Sequence, residues 1–128
     1  MRYLLDTMAL LAYFNNEEGA GFVEDIIEDN SELYISSITL TEIYYIYSRR
    51  MDEKTAEERV DQLRYNLEVV GIEDEEAVNA GRYKKSEIPI ADALIAACAN
   101  SVDASVVTAD DHFEDIDIDL VNFRSQNR

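Results

Sequence analysis

One cysteine, one proline, one histidine and 11 basic residues among 128 positions set the first limits on this chain. The lone Cys98 has no partner, which excludes a disulfide framework and a cysteine-based zinc site; lying in an apolar helical stretch, it reads as a small core residue. Pro89 precedes a helical pattern rather than dividing two units, and no repeat, low-complexity tract or Gly/Ser linker is present. No apolar run approaches the ~18 residues of a membrane span. The N-terminus carries no basic segment followed by an apolar run and a cleavage site. The expectation is a cytoplasmic protein with no membrane partner, forming a single domain over residues 1–128, 47% of which are hydrophobic.

Positive charge is scarce. Asp and Glu total 28, giving a net charge of −17. An acidic surface repels phosphates, because long-range attraction to nucleic acid comes from Lys and Arg. Two effects weaken that objection: at 1 M salt the screening length falls to about 3 Å, and bound divalent cations invert the local sign at a carboxylate site. Most of the acids read as solvated surface.

What is present is an alternation of short apolar runs and longer amphipathic stretches. Residues 2–6 (RYLLD), LYISS, LEVVGI, ASVVTAD and IDLVNF read as strands. MALLAYF, GFVEDIIED, residues 39–50, 53–67 and 74–86, and IADALIAACANSV read as helices, with Thr39 or Thr41 suited to cap the third and DHFEDI as a turn or short helix. Strands separated by helices imply parallel pairing with right-handed crossovers, so the fold class is α/β: a three-layer α/β/α sandwich with a central, mainly parallel sheet. In such sheets ligands bind beyond the carboxyl ends of the strands.

That rule selects four acids. Asp6 ends the first strand and Asp110 follows the VVT strand, while Glu42 and Asp92 lie near the starts of helices that begin at the same edge. Carboxylates gathered at one place repel, and one takes up a proton unless a cation sits between them. Mg²⁺ or Mn²⁺ relieves that repulsion and can activate water for in-line phosphoryl displacement, with no nucleophilic side chain.

Each acid also has a structural reading. Asp6 and Asp110 are placed to cap the helix that follows, and Glu42 to complement a helix dipole. Asp92 is harder to explain that way, because it interrupts the apolar run IADALIAACA, where an unpaired acid is costly. His112 has the chemistry to bind a metal or shuttle a proton, but beside Asp110 and Asp111 it reads rather as a partly exposed turn residue, and a histidine triad lacks a nucleophile. Tyr44, Tyr45 and Tyr47, at helical spacing, read chiefly as packing. The basic islands Arg49, Arg50 and Lys54, and Arg82, Lys84 and Lys85, fit either phosphate contacts or salt bridges.

LLDTMALLAYF, SSITLTEIYY, IPIADALIAACA and VVTADDHFEDI together resemble, in order and spacing and over nearly the whole chain, the four motifs of the PIN domain family, in particular the VapC-type toxin ribonucleases. The resemblance puts the family's acids at Asp6, Glu42, Asp92 and Asp110. It implies Mg²⁺- or Mn²⁺-dependent endonucleolytic cleavage of an RNA substrate to a 5′-phosphate and a 3′-hydroxyl, a homodimer, and a cognate antitoxin whose C-terminal segment covers the cleft. On this reading Asp6, Asp92 and Asp110 are metal ligands, direct or through water. Glu42 positions the water or a second ion, and Thr7, Thr108 and Asp111 support them.

Two other enzyme classes fit less well. A phosphatase of the haloacid dehalogenase type needs an aspartate where Met8 stands, and a phosphate-receiver domain needs paired acids early and a late lysine, whereas Asp110 and Asp111 come last. The non-enzymatic alternative is a PIN-like RNA- or protein-binding module without turnover; all four acids are present.

Overall fold

A computed structural model describes residues 1–29, 32–84 and 87–125. The elements run β1 (Arg2–Leu5), α1 (Thr7–Asn15), α2 (Ala20–Glu28), β2 (Glu32–Ser36), α3 (Ser37–Arg50), α4 (Glu53–Asn66), β3 (Glu68–Val70), α5 (Asp74–Tyr83), α6 (Ile90–Ser101), β4 (Ser105–Thr108), a 3-10 helix (Asp111–Asp115) and β5 (Leu120–Asn122). The strands form one sheet in the order β3-β2-β1-β4-β5, and all four pairings are parallel.

Strand alternation sorts the core into two layers. Leu5, Ile35 and Val107 point into the cluster made with α1 to α4, whereas Leu4, Tyr34 and Val106 point into the cluster made with α5 and α6. Because successive side chains of a strand face opposite sides, each central strand must be apolar at both positions, which is why RYLL, LYI and SVV carry unbroken hydrophobic pairs. The expected α/β/α sandwich is what forms. None of the helices, among the described residues, is long and apolar enough to cross a membrane.

Chain direction across the sheet determines where the site falls. From β1 the chain steps outward through β2 to β3, then returns across the sheet to β4 and β5 on the other flank of β1. The order therefore reverses between β1 and β4, the switch point where α/β sheets leave a crevice at their carboxyl ends. Leu5 is in register with Val107, and the Asp6 N–H donates to the Val107 carbonyl at 3.1 Å. The residues after both strands emerge side by side.

Two boundaries differ from the sequence reading. Helix α3 starts at Ser37, capped by Ser36, whose Oγ accepts from the Ile38 N–H at 3.2 Å. Thr39 does not cap; it is fully buried inside the helix, and Thr41 lies further along it. The earlier start moves Glu42 from the first turn into the second. Helix α5 ends at Tyr83, where Lys84 turns extended, and part of the expected segment, Lys85 and Ser86, lies outside the described residues.

Candidate metal centre

Asp6 leaves β1 at the switch point with its side chain 3% exposed. Its carboxylate accepts the Ala9 N–H at 2.9 Å, capping α1, and also takes a hydrogen bond from the Thr108 hydroxyl. Burial, augmented by the charges of Asp92 and Asp110, outweighs those hydrogen bonds and pushes Asp6 up to about 7. The capping role and the cluster role are thus filled by one side chain.

Thr108, at the end of β4, binds the two strand-end acids together. It is 3% exposed, and while bonded to Asp6 its Oγ1 accepts the Asp110 N–H at 2.9 Å. Asp110 in turn caps the 3-10 helix, its Oδ1 accepting the His112 N–H at 2.9 Å. That turn folds the His112 ring back over the acids: Nδ1 lies 2.7 Å from Asp110 Oδ1 and 3.4 Å from Asp92 Oδ2.

Asp92 stands in the first turn of α6, where the helix N-terminus favours a negative charge. Burial, then the adjacent Asp110 and more distantly Glu42, push it up to about 7, although His112 pulls the other way. Glu42 reaches the group from α3. Its Oε1 accepts from the Thr7 hydroxyl, which also lies 3.4 Å from the Thr39 hydroxyl. Asp6, Glu42, Asp92 and Asp110 are therefore brought to one place, with Thr7 and Thr108 linking them. Asp111 points outward and is exposed.

The arrangement fits a divalent cation. Donor atoms of Asp92, Asp110 and His112 all lie within 4.8 Å of one another. Only three buried side-chain nitrogen or oxygen atoms among the described residues lack a hydrogen-bond partner, and two of them are Asp92 Oδ2 and His112 Nδ1. Unsatisfied buried polar atoms and crowded acids are both relieved by the same charge. Asp6 stands just outside this group of three, close enough to feel the charges of Asp92 and Asp110.

His112 is the site residue that sequence reasoning assigned to a turn. It is partly exposed, as expected, but also faces the acids; the signal was its place two residues after Asp110 within a capped turn. The tyrosines divide. Tyr47 is buried with its hydroxyl donating to Asn15 Oδ1 at 2.9 Å, whereas Tyr44 and Tyr45 are exposed. Arg49 and Arg50 end α3, with Arg49 stacked on Tyr45, seven and eight residues past Glu42, or about 11 Å along the axis. Arg82 lines a cavity of about 530 Å³ between α5 and α6 that contains none of the four acids.

A parallel sheet with carboxylates converging at its switch point defines an α/β sandwich protein with a candidate divalent-metal centre. The model of the PIN domain matches residues 3–119, and the chain belongs to that family. Solved structures agree. A chain of VapBC2 from Rickettsia felis, solved bound to a DNA fragment from their promoter, is 25% identical, with a TM-score of 0.78 over 95% of this chain and 98% of that one. A toxin-antitoxin complex from Klebsiella pneumoniae matches at 20% identity and TM-score 0.73, covering 94% of this chain and 97% of that one. VapC20 of Mycobacterium tuberculosis, a Sarcin-Ricin loop cleaving toxin, matches at 16% identity and TM-score 0.73, covering 91% and 95%. The last two speak to the fold alone. No match was found among curated protein sequences.

Proposed function

We propose that this chain is a Mg²⁺- or Mn²⁺-dependent endoribonuclease, the toxin of a toxin-antitoxin pair. The observation that carries the reading is the convergence of Asp6, Glu42, Asp92 and Asp110 at the β1/β4 switch point, with Asp6 and Asp92 both pushed up to about 7. Acids raised to about 7 by burial, with neighbouring negative charge adding to it, form a site preorganised for a cation.

When bound, the divalent ion would neutralise the carboxylates, polarise a phosphoryl oxygen and render water nucleophilic near neutral pH. Asp92, Asp110 and Asp6 would hold it. Glu42, anchored by Thr7, positions the water that attacks phosphorus in line. The bond from phosphorus to the 3′-oxygen breaks as the new one forms, leaving a 5′-phosphate and a 3′-hydroxyl. Thr108 fixes Asp6 relative to Asp110.

Likeness to a VapBC2 chain over nearly its full length supports an antitoxin partner; an antitoxin segment covering the acids, a homodimeric toxin and a cytoplasmic setting belong to the same proposal. The test is cleavage of RNA by the purified protein with and without Mg²⁺, set beside Asp92→Asn. Metal-stimulated cleavage lost in the variant supports the reading; equal cleavage by both proteins would overturn it. Calorimetric titration with Mn²⁺ separates an active nuclease from a binding module lacking the site, which shows no difference between the two proteins.

A further inference from the structure

Two enclosed polar atoms without hydrogen-bond partners face each other across the site, and one is a nitrogen. His112 Nδ1 lies 2.7 Å from Asp110 Oδ1 and 3.4 Å from Asp92 Oδ2, yet bonds to neither. Both oxygens are within reach of this nitrogen, but neither contact has the geometry of a hydrogen bond. An imidazolium built to bridge two carboxylates would aim its N–H at one of them. A ligand instead aims its lone pair at a third point beside both oxygens. Two donors each about 2.1 Å from an ion and at right angles to one another stand about 3 Å apart, and the observed separations straddle that value.

The ring is held there from both sides. Asp110 takes the His112 N–H as the cap of the 3-10 helix, and the next residue, Phe113, is fully buried in the core cluster of α6. His112 thus sits between a cap and an anchor, which limits its freedom without burying the ring.

We propose that His112 Nδ1 is a direct ligand of the divalent ion beside Asp92 and Asp110, and that this nitrogen makes the site select Mn²⁺ over Mg²⁺. The proposal rests on the metal centre of the nuclease reading and adds a donor that the four acids do not supply. Mg²⁺ is hard, prefers an all-oxygen octahedron and retains its waters, whereas a nitrogen donor favours a first-row transition ion.

His112 is the only histidine, so in the untagged protein any imidazole signal at the metal is its own. Pulsed EPR of the full chain loaded with Mn²⁺ reads this directly. The expected result is nitrogen modulation of the Mn²⁺ echo, absent in His112→Ala. Calorimetry should show Mn²⁺ bound more tightly than Mg²⁺, with the ratio falling about tenfold or more in the variant. Mn²⁺ bound without nitrogen modulation overturns the proposal and leaves the carboxylate centre standing; no Mn²⁺ binding overturns both. The wild-type spectrum decides the ligand by itself even if the variant folds poorly.

Discussion

The Thr7 hydroxyl donates to Glu42 Oε1, tying the first residue of α1 to the second turn of α3. That bond fixes the end of a flexible side chain, so we expect Thr7→Val to lower metal-stimulated RNA cleavage by about tenfold or more. Stability should fall by only about 1 kcal/mol, the worth of one hydrogen bond. Comparing cleavage rates with urea midpoints checks this; equal loss in both would make Thr7 merely structural.

Asp6 both caps α1 and belongs to the acid cluster, and two substitutions separate the roles. Asp6→Asn retains an oxygen for the Ala9 N–H while removing the charge, so the variant should fold at least as well as the native chain without metal, yet lose cleavage. Asp6→Ala loses the cap as well and should be less stable than Asp6→Asn by about 1 kcal/mol. Thermal melts with a chelator present, beside cleavage assays, give both numbers.

Proton linkage gives a third expectation. Asp6 and Asp92 sit at about 7 in the folded chain against an ordinary 3.8. Their folded forms hold protons that the unfolded chain releases, so this contribution to stability is complete below pH 3.8 and lost as pH rises through about 7. The chelated protein should melt at lower temperature at pH 8 than at pH 5.5, and Mn²⁺ should narrow that difference. Binding near pH 6.5 should release protons, visible as a dependence of calorimetric heat on buffer ionisation. A melting temperature that rises with pH in chelator would contradict the raised values.

Gly19, the N-cap residue before α2, has φ +88°, and a Cβ there would fall 2.5 Å from Phe123 Cδ2 and 2.9 Å from the Phe123 carbonyl oxygen. The backbone contact cannot yield as a flexible side chain would. Gly19→Ala should lower stability by about 2–4 kcal/mol through strain and overpacking together, measured by chemical denaturation.

The charge of −17 makes a prediction of unusual sign. Most nucleic-acid enzymes weaken with salt, but here screening reduces repulsion between two acidic surfaces. Raising monovalent salt from 10 to about 150 mM should lower KM for RNA at fixed, saturating divalent ion. A rising KM would mean that local cations dominate.

The strands could be read from composition because each central strand must be apolar on both faces, as Leu4 and Leu5 or Val106 and Val107 are. Parallel order then placed Asp6 and Asp110 on one edge, and no side-chain detail was needed for that. Local alternatives were harder to separate. Ser36, Thr39 and Thr41 all have cap chemistry, and only the end of β2 selects Ser36.

Alternating pattern and helical period in the chain suffice for the layers, for the strand directions and for the edge where the acids emerge, since these follow from rules of burial acting on neighbours a few residues apart. Whether the His112 ring turns toward Asp92, twenty residues earlier, is a matter of where α6 and the capped 3-10 helix meet in space. No local rule relates those two residues, and their approach exists only once Phe113 is packed beneath them.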